Sequence, residues 1–289
     1  MKIFKLICLA ACVAINTAAC YARSYDDIID SQYISIAIYR DYPPFSYLVD
    51  DVAKGIDVEI ARQIAKEMGV ELKLKWMTAD ENVEDDLRNN LWKGHYLERT
   101  VADVMLRVPY DKEYSLSRDD IGELVHEQVH MFAPYHTESW QIVYDSKKID
   151  SVSTMAVFQY HTVGVEVDSI PQFYLSSALG GRMRDSAQHY PSTIDAVGAM
   201  QSGQVDAAMG LRSQISYLQG QLDNPQYQLA TNAFPMLGQQ QWEIGMAVKS
   251  NYRQLGYAVG DIVHSMIEKG QMESIFGKYN AIYQAPTSY

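Results

Sequence analysis

The sequence predicts an α/β protein built from two lobes that enclose a cleft. Short apolar or alternating runs, typical of strands, are interleaved with apolar stripes at helical spacing. One strand-turn-helix-strand unit occupies residues 33–77, and a similar succession begins near residue 163. Two such units joined by crossing strands need no flexible linker. A cleft between them permits capture by hinge closure.

The first unit begins with a strand over residues 34–38, where three isoleucines alternate with small residues. The turn 41–47 contains two prolines and ends the strand, because proline lacks an N–H and fixes its own φ. A helix is predicted to follow Gly55, with Asp57 as its N-cap. Its apolar stripe and closing glycine are Ile60, Ala61, Ile64, Ala65, Met68 and Gly69. A second alternating strand occupies residues 70–76.

Aromatic residues crowd the turn after the first strand. Tyr39, Tyr42, Phe45 and Tyr47 lie at the C-terminal edge of the predicted sheet, where open α/β sheets bind ligands. We expect Tyr39 and Phe45 to line the cleft, with Tyr42 beside them. Packing within the turn itself is the alternative explanation for the cluster.

The second unit starts with a strand over residues 163–167. Asp168 and Ser169 follow it and predict the N-terminus of a helix that faces the cleft. Backbone N–H groups there offer a site for an anion, although the Asp168 carboxylate opposes one. A helix that ends at Gly203 and a strand over residues 205–209 come next. The predicted division is 1–22 as signal peptide, 23–139 plus 245–289 as the first lobe, and 140–244 as the second lobe.

The N-terminus has a basic tip, a short apolar run and small residues up to Ala22, which predicts a secretory signal peptide cleaved there. All three cysteines lie before that point, so the mature chain is expected to have no disulfide. Lipoprotein processing at Cys20 is the alternative, although Thr17 departs from the aliphatic residue usual there. We expect no transmembrane segment, because the apolar run is too short to span a bilayer.

The chain has a formal net charge of −12 and no cluster of basic residues that could neutralise phosphates. We therefore expect it to bind neither nucleic acid nor anionic membranes. Solubility explains such a charge. Electrostatic attraction of a basic protein partner is the alternative explanation for this charge.

The run from Tyr33 to Met77 resembles the family 3 extracellular solute-binding proteins, which serve polar amino-acid transporters. The Pro-Pro-Phe turn and the helix after Gly55 carry the likeness. The return strand 242–249 and terminal helices 262–270 and 275–279 agree with it. The resemblance implies a periplasmic-binding-protein-like fold of type II, with an inter-lobe cleft.

A narrower resemblance links the chain to the periplasmic J proteins (MxaJ/XoxJ type), whose genes accompany methanol dehydrogenase. It rests on the segments Ala79–Asn82, Asp85–Asn89, Trp92–Leu97, Ala102–Leu106, Val108–Asp111 and Phe132–His136. It implies a periplasmic accessory protein that binds methanol dehydrogenase, a pyrroloquinoline quinone (PQQ) quinoprotein. Its expected role is maturation or activation of that enzyme, or delivery of its quinone or metal.

The family resemblance implies an arginine and an aspartate that hold an amino-acid ligand. Tyr110–Glu113 occupies the first region and Gly210–Arg212 the second, so both anchors are replaced. A buried amino acid would then leave its charges unpaired, which is costly. Arg107 is the candidate anion clamp, with a structural ion pair as its alternative. The predicted ligand- or partner-binding residues are Tyr39, Tyr42, Phe45, Arg107, Tyr110, Asp168 and Ser169.

Residues 126–130 spell His-Glu-Gln-Val-His, which with His136 matches the spacing of a zinc protease. That chemistry needs a helix that presents His126 and His130 on one face. Ala133 and Pro134 disfavour it, because the first lacks the freedom of glycine and the second favours extended backbone. We therefore predict no metal site, no cofactor and a non-enzymatic binding protein. The alternative to the accessory role is a receptor that delivers a small polar solute, other than a standard amino acid, to an ABC permease.

Overall fold

The computed structural model describes residues 22–288. The predicted signal peptide, its cysteines and the lipidation alternative lie outside these residues, apart from Ala22. In the described part of the chain, no helix is both long and apolar enough to cross a bilayer.

Strands and helices alternate along most of the described chain. The strands are β1 Tyr33–Tyr39, β2 Tyr47–Val49, β3 Val52–Lys54, β4 Glu71–Met77, β5 Val104–Tyr110, β6 Val129–Asp145, β7 Val163–Glu166, β8 Ala187–Tyr190, β9 Ala207–Leu211, β10 Tyr227–Leu229 and β11 Gln241–Lys249. The α-helices are α1 Tyr25–Ser31, α2 Ile56–Met68, α3 Val83–Leu87, α4 Lys112–Ser115, α5 Ile170–Gly181, α6 Thr193–Gln201, α7 Arg212–Leu222, α8 Arg253–Glu268 and α9 Gln271–Gly277. A π-helical turn, Arg88–Trp92, follows α3.

One sheet runs through the molecule in the order β4-β1-β5-β11-β6-β9-β7-β8, with β10 also paired to β6. Strand β6 joins its two halves. It pairs with β11 up to Ser139 and with β9 from Trp140. The predicted lobe boundary after residue 139 thus falls where this strand changes partners. The boundaries themselves stay a prediction.

Buried apolar clusters lie on both faces of each half of the sheet, as expected where helices cover both faces. In the first half, one cluster joins Ile36, Ile60 and Val259, and another joins Ala37, Met105 and Met131. The second half has its own pair, around Phe158 and around Met200. Each half therefore has the core of a separate α/β unit.

Helix α2 confirms the predicted stripe and its closure at Gly69, which adopts φ 70°. Its predicted N-cap is wrong. Gly55 caps the helix at φ 125°, and a Cβ there would lie 2.2 Å from the Phe45 carbonyl oxygen. Only glycine fits at this close contact. Because Gly55 is the N-cap, Asp57 lies in the first turn of the helix, where it is fully buried. At α5, Ser169 is the N-cap as predicted, since its hydroxyl accepts from the Gln172 N–H.

Candidate functional site

Two neighbouring irregularities in the central strands set up the candidate site. Gly245 of β11 pairs with Val108 and Met246 pairs with Leu106, so Arg107 bulges out of β5 without a partner. Its φ of 60° lies in the left-handed region that few non-glycine residues adopt. Such bulges re-aim a side chain.

On the other side of β11, Ile244 pairs with His136 and Met246 with Phe132. Tyr135 belongs to the residues bulged out of β6 between those two pairs. Its hydroxyl donates to Asp57 Oδ1 at 3.1 Å. Both irregularities thus bring a polar side chain to the same buried carboxylate.

Asp57 and Arg107 form a buried ion pair with imperfect geometry. Arg107 Nε lies 3.9 Å from Asp57 Oδ2, and the side chains are 6% and 0% exposed. Neither Asp57 Oδ2 nor Arg107 Nη1 has a hydrogen-bond partner. Burial raises the pKa of Asp57 to about 6, although Arg107 and the Tyr135 hydroxyl oppose this shift. Burial also disfavours the Arg107 cation, but Asp57 acts with Tyr135, Tyr42 and Glu138 to outweigh burial. The pKa of Arg107 is therefore raised, and the side chain keeps its charge.

Aromatic rings cover this pair. The Arg107 Cζ atom lies 3.5 Å from the Phe45 ring centroid and 5.6 Å from that of Tyr42. The Tyr42 and Phe45 centroids are 5.0 Å apart, and Tyr39 meets Tyr42 edge-on at 6.2 Å. We call these three aromatic residues, with Asp57 and Arg107, the aromatic-turn cluster.

Phe45 is expected to line the cleft, but the structure places its ring inside a core. Its side chain is fully buried within the first-half core. The Ile56 N–H donates to Pro44 O at 2.9 Å and the Asp57 N–H to Phe45 O at 2.8 Å, which ties the turn to the start of α2. These bonds draw Phe45 beneath the helix. Tyr39 also turns inward, and its hydroxyl donates to Asp86 at 2.8 Å.

Tyr42 and Ser169 meet across the two halves at a cavity of about 180 Å³. Its polar lining includes Glu166, Thr193 and Gln214. Glu166 Oε2 accepts from the Thr193 N–H at 3.1 Å and hydroxyl at 3.0 Å. Gln214 Nε2 donates to Pro43 O at 3.1 Å, which links α7 directly to the aromatic turn. We call this space the inter-lobe cavity.

The remaining predicted residues lie elsewhere. Asp168 is exposed at φ 58° just before α5, and its N–H donates to the Gln172 side chain in that helix. Tyr110 lines two further cavities, of about 560 Å³ and 450 Å³, which also share Trp242 and Glu243. We call this pair of spaces the hinge cavity, because β11 and β6 cross between the two halves there.

A second buried charged group was not predicted. Glu138 is fully buried in β6, just before the strand changes partners. It accepts from the Ser139 N–H at 3.0 Å, from the Ser213 hydroxyl and from His136 Nε2 at 3.4 Å. Burial by itself raises the pKa of Glu138. The hydrogen bonds from His136 and Ser213, together with the charge interactions with His136 and Arg107, outweigh burial and hold the pKa below its usual value. The available signal in the sequence was a carboxylate in the interior of a long strand, between Thr137 and Ser139.

The His-Glu-x-x-His segment is not helical. His126 lies in a turn, and His130 and His136 lie in β6. Their rings pack separately, on Tyr114, on Phe132 and on Phe276. Within residues 22–288, no three His, Cys, Asp or Glu side chains are grouped to hold a metal ion. The three histidines therefore do not form the arrangement that a zinc hydrolase requires.

Comparison with known proteins agrees with this architecture. Residues 34–92 match the model of the bacterial extracellular solute-binding proteins, family 3. The Arginine-binding extracellular protein ArtP of Bacillus subtilis (strain 168) is 26% identical over 178 residues, which are 60% of this chain and 58% of ArtP.

Solved structures share the whole fold. An ancestral cationic amino acid solute-binding protein, AncCDT-1, superposes with a TM-score of 0.67 at 16% identity, over 88% of this chain and 98% of that one. The substrate-binding protein AbpA of Streptococcus pneumoniae Canada MDR_19A, bound to L-arginine, gives 0.59 at 21% identity, over 88% and 97%. The predicted α/β, two-lobed type II fold is confirmed. The resemblance to family 3 is confirmed over residues 34–92, and the relatives named here are binding proteins.

Proposed function

We propose that this protein is a periplasmic accessory protein of methanol oxidation. It binds methanol dehydrogenase and assists the maturation or activation of that PQQ enzyme. The observation that carries the proposal is the self-contained aromatic-turn cluster. Arg107 is covered by Phe45 and paired with Asp57, so the predicted anion clamp already has a partner within the chain.

The small size of the inter-lobe cavity also favours a protein partner over a solute captured in that cavity. The inter-lobe cavity has about 180 Å³, whereas small-molecule sites usually have about 300–1,000 Å³. An α-amino acid placed there would bury two opposite charges, and Arg107 is already engaged with Asp57. The sequence resemblance to the J proteins supplies the identity of the proposed partner.

A receptor role in ABC transport is the second candidate. It is favoured by the inter-lobe cavity itself, which takes lining residues from both halves and holds the Glu166 carboxylate. ArtP and AbpA are named for binding arginine or are bound to it. The solute proposed here is a small polar molecule other than a standard amino acid, because the predicted amino-acid anchors are replaced.

Co-purification separates the two candidates. The tagged protein is isolated from the periplasm with and without a crosslinker, and the eluate is probed for methanol dehydrogenase. We expect a complex with the large subunit of the dehydrogenase. Absence of the enzyme from every crosslinked sample would contradict the accessory role.

A charge reversal tests whether the dehydrogenase docks on segment 80–86, which carries five acidic residues. Glu81→Lys changes an exposed side chain, and Glu273→Lys in α9 is a matched control, since that side chain is also exposed. We expect Glu81→Lys to reduce recovery of the dehydrogenase and Glu273→Lys to leave it unchanged. Equal recovery with both variants would move the docking surface elsewhere.

A thermal-shift panel of small polar solutes tests the receptor role. A ligand present at one hundred times its Kd stabilises the folded state by about 2.7 kcal/mol. A clear shift with one solute, together with no dehydrogenase in the eluate, would favour transport over the accessory role.

A further inference from the structure

We propose that the hinge cavity is a binding site for a small organic ammonium cation. Its two parts, of about 560 Å³ and 450 Å³, meet at Tyr110, Trp242 and Glu243. Each part lies within the size range of ordinary ligand sites. The inter-lobe cavity, at about 180 Å³, lies below that range. The proposal does not depend on the identity of a protein partner.

The charges of the residues that line the hinge cavity favour a cation over an anion. Three carboxylates line the hinge cavity, from Glu84, Asp111 and Glu243, against a single ammonium group from Lys112. A negative charge balance in a partly enclosed space concentrates small cations and repels anions. Lys112 is exposed and its long stem lets its charge stay in solvent.

Glu243 is the carboxylate that is built into the site. Its Oε1 atom accepts from the Thr287 N–H at 2.5 Å, the Thr287 hydroxyl at 2.8 Å and the Ser288 N–H at 3.0 Å. The C-terminal segment therefore holds this side chain in one position. Its Oε2 atom is buried and has no hydrogen-bond partner. The carboxylate group lines the cavity, where its negative charge attracts an ammonium group.

The aromatic residues favour an organic cation over a hydrated metal ion. Tyr110, Tyr114 and Trp242 line the cavity, and ring faces attract cations through their quadrupoles. Trp242 is fixed against Trp140, with centroids 4.7 Å apart. Tyr114 is fixed by the hydrogen bond from its hydroxyl to Glu84 Oε1 at 3.1 Å. The ring positions are thus set before any ligand arrives, which lowers the entropy cost of binding.

The test compares choline with 3,3-dimethylbutan-1-ol, a neutral molecule of nearly the same shape. Calorimetric titration of the purified secreted protein is expected to show saturable binding of choline and none of the alcohol. Glu243→Gln keeps the acceptor for the C-terminal segment but removes the charge. We expect it to weaken choline binding roughly tenfold, the change that corresponds to about 1.4 kcal/mol.

Glu113→Gln is the matched control, because it removes one exposed acidic charge from α4 without lining the cavity. It is expected to bind choline as the unaltered protein does. Equal binding of choline and the alcohol, no binding of either, or an equal effect of the two variants would overturn the proposal. If Glu243→Gln does not fold, Tyr110→Leu replaces it, and undiminished choline binding by that variant would likewise overturn the proposal.

Discussion

The aromatic-turn cluster and the hinge cavity are lined by similar residue types but differ in how their charges are satisfied. In the first, Asp57, Arg107 and the rings of the turn pack on one another, and the core covers them. In the second, carboxylates and rings surround open space. Aromatic and charged residues at a sheet edge therefore do not by themselves indicate a ligand site. What decides is whether these side chains pack against one another or leave open space between them.

The contrast between the closed aromatic-turn cluster and the open hinge cavity would fail if the Phe45 ring contributed little to stability. Phe45→Ala removes a fully buried ring from the first-half core, and we expect it to lower the free energy of unfolding by about 3–5 kcal/mol. Phe173→Ala is the control, since Phe173 is 61% exposed, and a change of less than about 0.5 kcal/mol is expected. Urea denaturation measures both. A small effect of Phe45→Ala would return this residue to the cleft.

The ion pair is the next test of the closed cluster. Arg107→Leu leaves the Asp57 carboxylate buried without its partner, and we expect a loss of about 3 kcal/mol at neutral pH. Adding Asp57→Asn removes the charge that was left and is expected to recover part of that loss. The coupling between the two positions is obtained from a double-mutant cycle by denaturation. Strictly additive losses would show that the two side chains do not interact.

Because the pKa of Asp57 is raised to about 6, the contribution of the cluster to the free energy of unfolding depends on pH. Because folding raises this pKa above its ordinary value of 3.8, the folded protein binds the proton more tightly than the unfolded chain. The contribution of Asp57 to stability is therefore complete below about pH 4 and is lost as the pH rises through about 6. The loss amounts to about 2–3 kcal/mol.

Comparison with Asp57→Asn isolates this contribution from those of other carboxylates. The difference in unfolding free energy between the two proteins is measured from pH 4 to pH 7. The variant is expected to gain stability relative to the unaltered protein up to about pH 6, and the difference then levels off. A pH-independent difference would place the Asp57 pKa near its ordinary value.

The smallest expected effect lies at the inter-lobe cavity. Ser169→Ala removes the N-cap of α5 and is expected to cost about 1 kcal/mol. Ser177→Ala, in an exposed position of the same helix, is the control and is expected to be nearly neutral. Thermal denaturation measures the melting temperatures of the two variants. Equal midpoints would mean that the start of α5 is held by packing rather than by its cap.

The sequence by itself determined the local elements of this protein. The apolar stripe of α2, its closure at Gly69 and the cap at Ser169 were all predicted, because each depends on residues within a few positions of one another. The two-lobed fold followed from the order of those elements and from the resemblance of residues 33–77. Four predicted residues, Tyr39, Tyr42, Phe45 and Arg107, do come together.

Only the tertiary structure decided what those residues do. The irregularities that aim Arg107 and Tyr135 at Asp57 arise from the register of β11 against two strands more than 100 positions earlier in the chain. Register depends on the packing of whole strands, and a shift of one residue turns a side chain to the other face. For the same reason, the sequence could not show that Phe45 is buried, that Glu138 is enclosed, or that the hinge cavity is left open.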